Sequence, residues 1–129
     1  MIGIALSGKT TYRKANFEHE VIQLSYFGND RKKEMKYIET CLKKGKDVVV
    51  DDTNLTLKIR KMHIDLAKKY NTTILGIFMN TSMGLLQQRR WKRHDQLDMV
   101  VINKQRRELE TPTKEEGFDN LIIHKDYEK

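Results

Sequence analysis

One cysteine, one proline and one tryptophan occur among the 129 residues. With only Cys41, no internal disulfide and no cysteine-based zinc cluster can form, which excludes a disulfide-stapled secreted scaffold. The four histidines, His19, His63, His94 and His124, are scattered along the chain. With seven glycines beside the single proline, and with 38% apolar against 33% charged residues, the composition is not that of a disordered segment. No apolar run approaches the roughly 20 residues needed to span a bilayer, and the start shows neither a basic leader nor a cleavage site. The expectation is a cytoplasmic protein with no membrane partner, folded as one domain over residues 1–129.

What the chain does have is basic charge: 25 Lys and Arg against 18 Asp and Glu give a net +7, densest at Arg89, Arg90, Lys92 and Arg93. Such a run suits an anionic partner, phosphate or nucleic acid, or else a solvated helix face. Apolar runs at residues 2–6, 20–24, 47–51, 73–79 and 120–124 predict strands. Between the second and third, Met35, Ile38 and Leu42 share a helix face, Lys43 and Lys44 suit its C-terminal dipole, and Gly45 suits the position just beyond it. Thr56 is placed to cap a helix with Ile59, Met62, Leu66 and Tyr70 on its apolar face and Asn71 at its end. Two more helices are expected, over residues 82–93 and from about residue 98, through Val101, Ile102 and Leu109, to a stop at Pro112. Unbroken runs such as Val48-Val49-Val50 fit a parallel sheet covered on both faces. The predicted class is α/β, a parallel sheet of about five strands between helices.

In such sheets ligands gather beyond the carboxyl ends of the strands. Gly3-Ile4-Ala5-Leu6-Ser7-Gly8-Lys9-Thr10 satisfies the phosphate-loop pattern G-x-x-x-x-G-K-[ST] at the end of the first predicted strand. Gly3, Ser7 and Gly8 would shape a cradle in which backbone N–H groups, running on through Thr11, surround a phosphate; Lys9 would reach the outer phosphate oxygens and the Thr10 hydroxyl would ligate Mg²⁺. Either a short strand precedes a full-length loop, or residues 1–6 are all strand and the loop shrinks to Ser7-Gly8. After the third strand, Asp51-Asp52-Thr53-Asn54 offers carboxylates for Mg²⁺, with Asp52 singled out, or an Asx turn that starts the Thr56 helix. Arg89 and Arg93, four apart on one helix face, suit charge neutralisation on a transferring phosphoryl group or mere solvent exposure.

The phosphate loop, Asp51-Asp52-Thr53-Asn54-Leu55-Thr56 with Arg60, the Arg89 and Arg93 pair, and Pro112-Thr113-Lys114-Glu115-Glu116-Gly117-Phe118-Asp119 follow one another over nearly the whole chain. This order resembles the P-loop kinases related to bacteriophage polynucleotide kinase. The resemblance implies a P-loop NTPase-like fold and ATP-dependent phosphoryl transfer to a 5′-hydroxyl of RNA or DNA, with Lys9 and Thr10 on the ATP and its Mg²⁺ and with Arg89 and Arg93 as lid arginines. Those kinases carry, after the second strand, an Asp that takes the proton from the attacking hydroxyl and, three residues on, an Arg that binds the acceptor phosphate. Here that stretch reads Leu24-Ser25-Tyr26-Phe27-Gly28-Asn29-Asp30-Arg31, so Asp30 and Arg31 supply the groups nearby in a different spacing. A kinase, a non-catalytic relative that binds nucleic acid or protein, and a small-molecule P-loop kinase all fit the sequence.

Overall fold

The computed structural model describes residues 1–93 and 97–128, so His94 lies outside the described residues. Among the described residues four strands form, in two parallel pairs: β1 (Glu20–Ile22) with β2 (Val48–Val50), and β3 (Leu75–Asn80) with β4 (Asn120–Lys125). Between and around them run α1 (Lys9–Asn16), α2 (Arg31–Lys43), α3 (Leu57–Lys69), α4 (Met83–Arg93) and α5 (Met99–Glu108), with 3-10 turns at Leu24–Phe27 and Lys114–Glu116. Among the described residues no helix is long and apolar enough to cross a membrane.

The predicted five-stranded sheet is corrected to two two-stranded parallel ladders. β1 pairs with β2, Val21 opposite Val49, and β3 pairs with β4, Ile77 opposite Ile122. Residues 2–6 do not form a ladder; they contribute the single bridge Ile2 to Phe78. Ile2 donates to Ile77 O at 2.7 Å and accepts from Met79 N–H at 2.8 Å, after which Gly3 N–H turns to Thr53 O at 3.0 Å. The backbone therefore leaves the sheet after one residue. On the other side of that bridge β2 and β3 share no ladder: a cavity of about 330 Å³ is lined by residues of both, Val48, Val49, Leu75 and Ile77, and by Phe118 among others.

The layering follows strand alternation. Ile77 and Met79 pack with Tyr12 of α1 and Phe17, whereas Phe78 packs with Ile64 of α3 and Phe118. Helices thus cover both faces, as an α/β fold requires. A third cluster, Ile22, Ile38 and Leu42, seats α2 on β1, and a fourth, Ile4, Leu55, Leu86 and Ile102, joins α4 and α5 to the N-terminal loop. The ends of α2 and α3 match their signals: Gly45 takes φ 72°, Thr56 accepts from Ile59 N–H, and Asn71 takes φ 52°. The core-facing stripe of α3 departs from the pattern. Arg60 and Ile64 are buried while Met62 is 38% exposed, because the Arg60 charge is compensated inside the fold and leaves that position free to face inward.

Candidate active site

The segment from Gly3 to Gly8 is a full-length loop closing on the N-terminus of α1, the first of the two alternatives open from the sequence. Gly3 is required by space: a Cβ there would lie 2.6 Å from Ser7 Oγ and 3.1 Å from Met79 O. Gly8, at φ 96°, takes the left-handed conformation that costs glycine least. Leu6 adopts φ 65° without being glycine, a strained turn at the tip of the loop. The first-turn amides of α1, which include those of Lys9, Thr10 and Thr11, receive no side-chain cap. They are the donors an anion would take. Ser7 is fully buried and its Oγ has no hydrogen-bond partner among the described residues, a second unspent polar group in the cradle.

Lys9 Nζ donates to Gly3 O at 2.8 Å and Ile4 O at 2.9 Å, folding the side chain over the loop that bears it. Burial pushes this ammonium down to about 8, against the opposing pull of Asp51 and Asp52. Thr10 Oγ1 donates to Asp51 Oδ2 at 2.9 Å, and the same oxygen accepts from Arg13 Nε at 3.1 Å and Gln23 Nε2 at 3.4 Å. A hydroxyl and a carboxylate oxygen facing one another at the loop are a hard-oxygen donor set that fits Mg²⁺.

Asp52, the carboxylate singled out from the sequence, turns elsewhere. Its Oδ1 accepts from Leu24 N–H at 2.7 Å, and its Oδ2 faces Arg31 Nη1 at 3.4 Å. Successive residues at a strand end point to opposite sides, so Asp51 and Asp52 divide between two neighbourhoods. Asp52 shares its side with buried Glu34, whose Oε1 accepts from Arg31 Nη1 at 2.8 Å. Burial, and then the neighbouring Asp52 carboxylate, push the Glu34 carboxyl up to about 8, so it holds a proton at neutral pH. His63 packs beside them, and burial, with Arg31 adding to it, pushes its imidazole down to about 4. Asp30 is spent on local structure: Oδ1 caps α2 by accepting from Lys32 and Lys33 N–H at 3.0 and 3.3 Å.

From α4, Arg89 reaches the loop. Its Nη1 donates to Leu6 O at 2.6 Å and its Nη2 donates to Tyr127 O. Arg93, one turn further, is on the exposed side of the helix end. The structure therefore brings Lys9, Thr10 and Arg89 to one loop. It takes Asp51 rather than its neighbour Asp52 from the carboxylates the sequence offered, adds Arg13 and Gln23, which the sequence did not select, and sets Asp30 apart as a cap. The signal for Asp51 was present in strand alternation: it continues the side that Val49 presents.

Arg60 and Glu116, both within the motifs quoted above, meet as a buried two-pronged pair, Nε to Oε1 at 2.8 Å and Nη2 to Oε2 at 3.1 Å. Arg60 Nη1 also donates to Asn54 O and Leu55 O at 3.0 and 2.9 Å, fixing the turn that carries Asp51 and Asp52.

Residues 1–112 match the family described as AAA domain. The chain is also 31% identical over 132 residues to the bifunctional polynucleotide phosphatase/kinase of Schizosaccharomyces pombe. That match covers 94% of this chain and 31% of the yeast protein, so the chain spans about a third of the length of that relative.

Proposed function

The chain belongs to the P-loop family described as AAA domain and related to polynucleotide kinase, and from that premise we propose that it transfers the γ-phosphoryl group of ATP to the 5′-hydroxyl of a polynucleotide. The observation that carries this reading is the loop itself: an uncapped helix start behind Gly3 to Gly8, Lys9 folded over it, and Thr10 tied to Asp51. In the proposal the amides from Ser7 to Thr11 hold the phosphates. Lys9 exchanges the carbonyls of Gly3 and Ile4 for phosphate oxygens. Thr10 and Asp51 hold the Mg²⁺, which when bound would neutralise charge on the outer phosphates.

Arg89 lies over the loop through Leu6, and Arg93 follows it on α4; both neutralise charge that spreads onto the equatorial oxygens during transfer. The acceptor oxygen forms a bond to the γ phosphorus as the bond to the bridging oxygen of ADP breaks. The hydroxyl proton passes to solvent, since Asp30 is spent on the α2 cap and Asp52 on Leu24 and Arg31. A loose transition state draws more from positioning than from proton removal, so such an enzyme works without a dedicated base, at a reduced rate.

A second reading is favoured by one observation, the absence of a carboxylate from the turn Leu24–Phe27 that follows β1. On it the protein keeps the nucleotide loop and the basic surface but acts as a binding module. The two separate on one experiment: incubation with γ-labelled ATP, Mg²⁺ and either 5′-hydroxyl oligonucleotides or nucleosides, with Lys9→Ala as control. Label at the 5′ end that Lys9→Ala abolishes supports the kinase. Oligonucleotide binding with no transfer supports the module, and label on a nucleoside but not on an oligonucleotide assigns a small-molecule acceptor.

A further inference from the structure

We propose that Glu34, Asp52 and His63 form a site for a transition-series divalent cation, Zn²⁺ being the probe of choice, distinct from the Thr10 and Asp51 oxygens at the phosphate loop. The three side chains come from different elements: Glu34 from α2, Asp52 from the turn after β2, and His63 from α3. One ligand atom from each lies within 4.8 Å of the others. The Glu34 side chain is fully buried, and those of Asp52 and His63 are 8% and 16% exposed.

The independent observation is a set of unspent polar atoms. Glu34 Oε2 and both ring nitrogens of His63 are buried without a hydrogen-bond donor or acceptor among the described residues. The closest approach of His63 Nε2 to Glu34 is 3.9 Å, to Oε1, beyond hydrogen-bond range. An imidazole with neither nitrogen bonded, beside a Glu34 carboxyl whose Oε1 is taken by Arg31 and whose Oε2 is not bonded, is costly to bury, and the cost is removed by a cation that both side chains can ligate once Glu34 gives up its proton. Ligands of a tetrahedral Zn²⁺ lie roughly 3.3–3.5 Å apart given bonds of about 2.0–2.2 Å, so the widest pair of the cluster has to close by up to about 1.5 Å. One nitrogen and two carboxylates leave a fourth position for water, and the imidazole selects Zn²⁺ over Mg²⁺, which keeps to oxygen.

The resident cation is Arg31, bonded to Glu34 and facing Asp52. Its side chain is 26% exposed, so it has a way out to solvent, and a bound metal displaces it. A metal there pins the α2 and α3 helices to the turn after β2. The inference stands on these residues alone and is independent of the kinase reading.

The test is equilibrium dialysis of the chelator-treated full chain against Zn²⁺ without nucleotide, with elemental analysis and with Co²⁺ as spectroscopic substitute. One Zn²⁺ per chain is expected, at least tenfold weaker in Glu34→Gln and in His63→Gln, several-fold tighter in Arg31→Gln, and unchanged in Thr10→Ala. Because a variant at a buried position can fail to fold, a chain carrying His19→Gln, His94→Gln and His124→Gln serves as the second arm. With His63 as its one histidine it must keep the Zn²⁺ and a nitrogen-ligated Co²⁺ spectrum. Absence of stoichiometric Zn²⁺ from the unmodified chain, loss of it from the triple variant, or retention in a folded His63→Gln chain overturns the site.

Discussion

Replacing Asp51 with Asn removes the charge that one oxygen presents to Thr10, Arg13 and Gln23 together, and it does so where the carboxylate is buried. Hydrogen bonds to charged groups contribute about 1.5–3 kcal/mol each. Asp51→Asn is therefore expected to weaken Mg²⁺-dependent nucleotide binding by at least tenfold, read by calorimetric titration at fixed Mg²⁺, with metal-free nucleotide binding changed far less. Lys9 supplies a pH test. Its ammonium is held down to about 8 by burial, and bound phosphates favour the charged form, so nucleotide affinity should fall as pH rises above about 8. Lys9→Arg stays charged over that range and should show a flat profile; a fall in both chains would place the titration elsewhere. The stability sign is the reverse. An unfolded lysine keeps its proton up to its ordinary value of 10.5, so the unfolded chain binds more protons between about 8 and 10.5 and this group's contribution to stability rises with pH across that window.

At the scale of elements, helix ends were legible and helix faces less so. Thr56 accepts from the backbone N–H of Ile59 as its place in the sequence indicated, an interaction of local chain geometry in which type and spacing suffice; Asp30 and Asp98 cap α2 and α5 in the same way, roles that the sequence reading did not give them. Asp30→Ala should accordingly lower stability by about 1 kcal/mol in a denaturant titration and leave phosphoryl transfer near its original rate; a collapse of turnover in a folded variant would return Asp30 to the reaction. The face of α3 was misread because Arg60 counts as a surface residue until its partner is known. That partner, Glu116, is 56 positions away, on a turn whose position depends on the whole fold. Removing one member of such a buried pair leaves the other charge uncompensated, so Arg60→Ala should cost about 3–5 kcal/mol and loosen the Asp51 turn through Asn54 and Leu55. Thermal unfolding with and without nucleotide checks both parts. The Asp51 and Asp52 division was half legible: the type and place of the carboxylates showed in the sequence, but which one meets Thr10 is set by pleat direction.

At the scale of the molecule, continuous apolar runs gave the parallel pairing of β2 and β3 with their neighbours, while the junction of the two ladders runs through residues 1–3, where the Met1 ammonium donates to Val50 O and Ile2 bridges Phe78, contacts that no pattern of residue types encodes. Net charge is another whole-chain property, and its reach is tested by salt. A chain of +7 has a sequence-independent attraction for polynucleotide phosphates, and α4 concentrates it in Arg90, Lys92 and Arg93 beside the loop-bound Arg89. Each phosphate neutralised on a single strand adds about −0.7 to the slope of log K against log salt. If α4 guides the acceptor, Lys92→Ala with Arg93→Ala should flatten that slope by about 1.4 and weaken oligonucleotide binding alike for every sequence. The charge change alone is small against the rest of the surface, so a general electrostatic loss would shift affinity with little change in slope. The kinetic counterpart separates guidance from chemistry: Arg93→Ala alone should lower kcat by more than it raises KM, because transition-state charge is present only during transfer. A rise in KM with kcat unchanged would assign α4 to holding the strand and leave the transferring phosphoryl to Lys9 and Arg89.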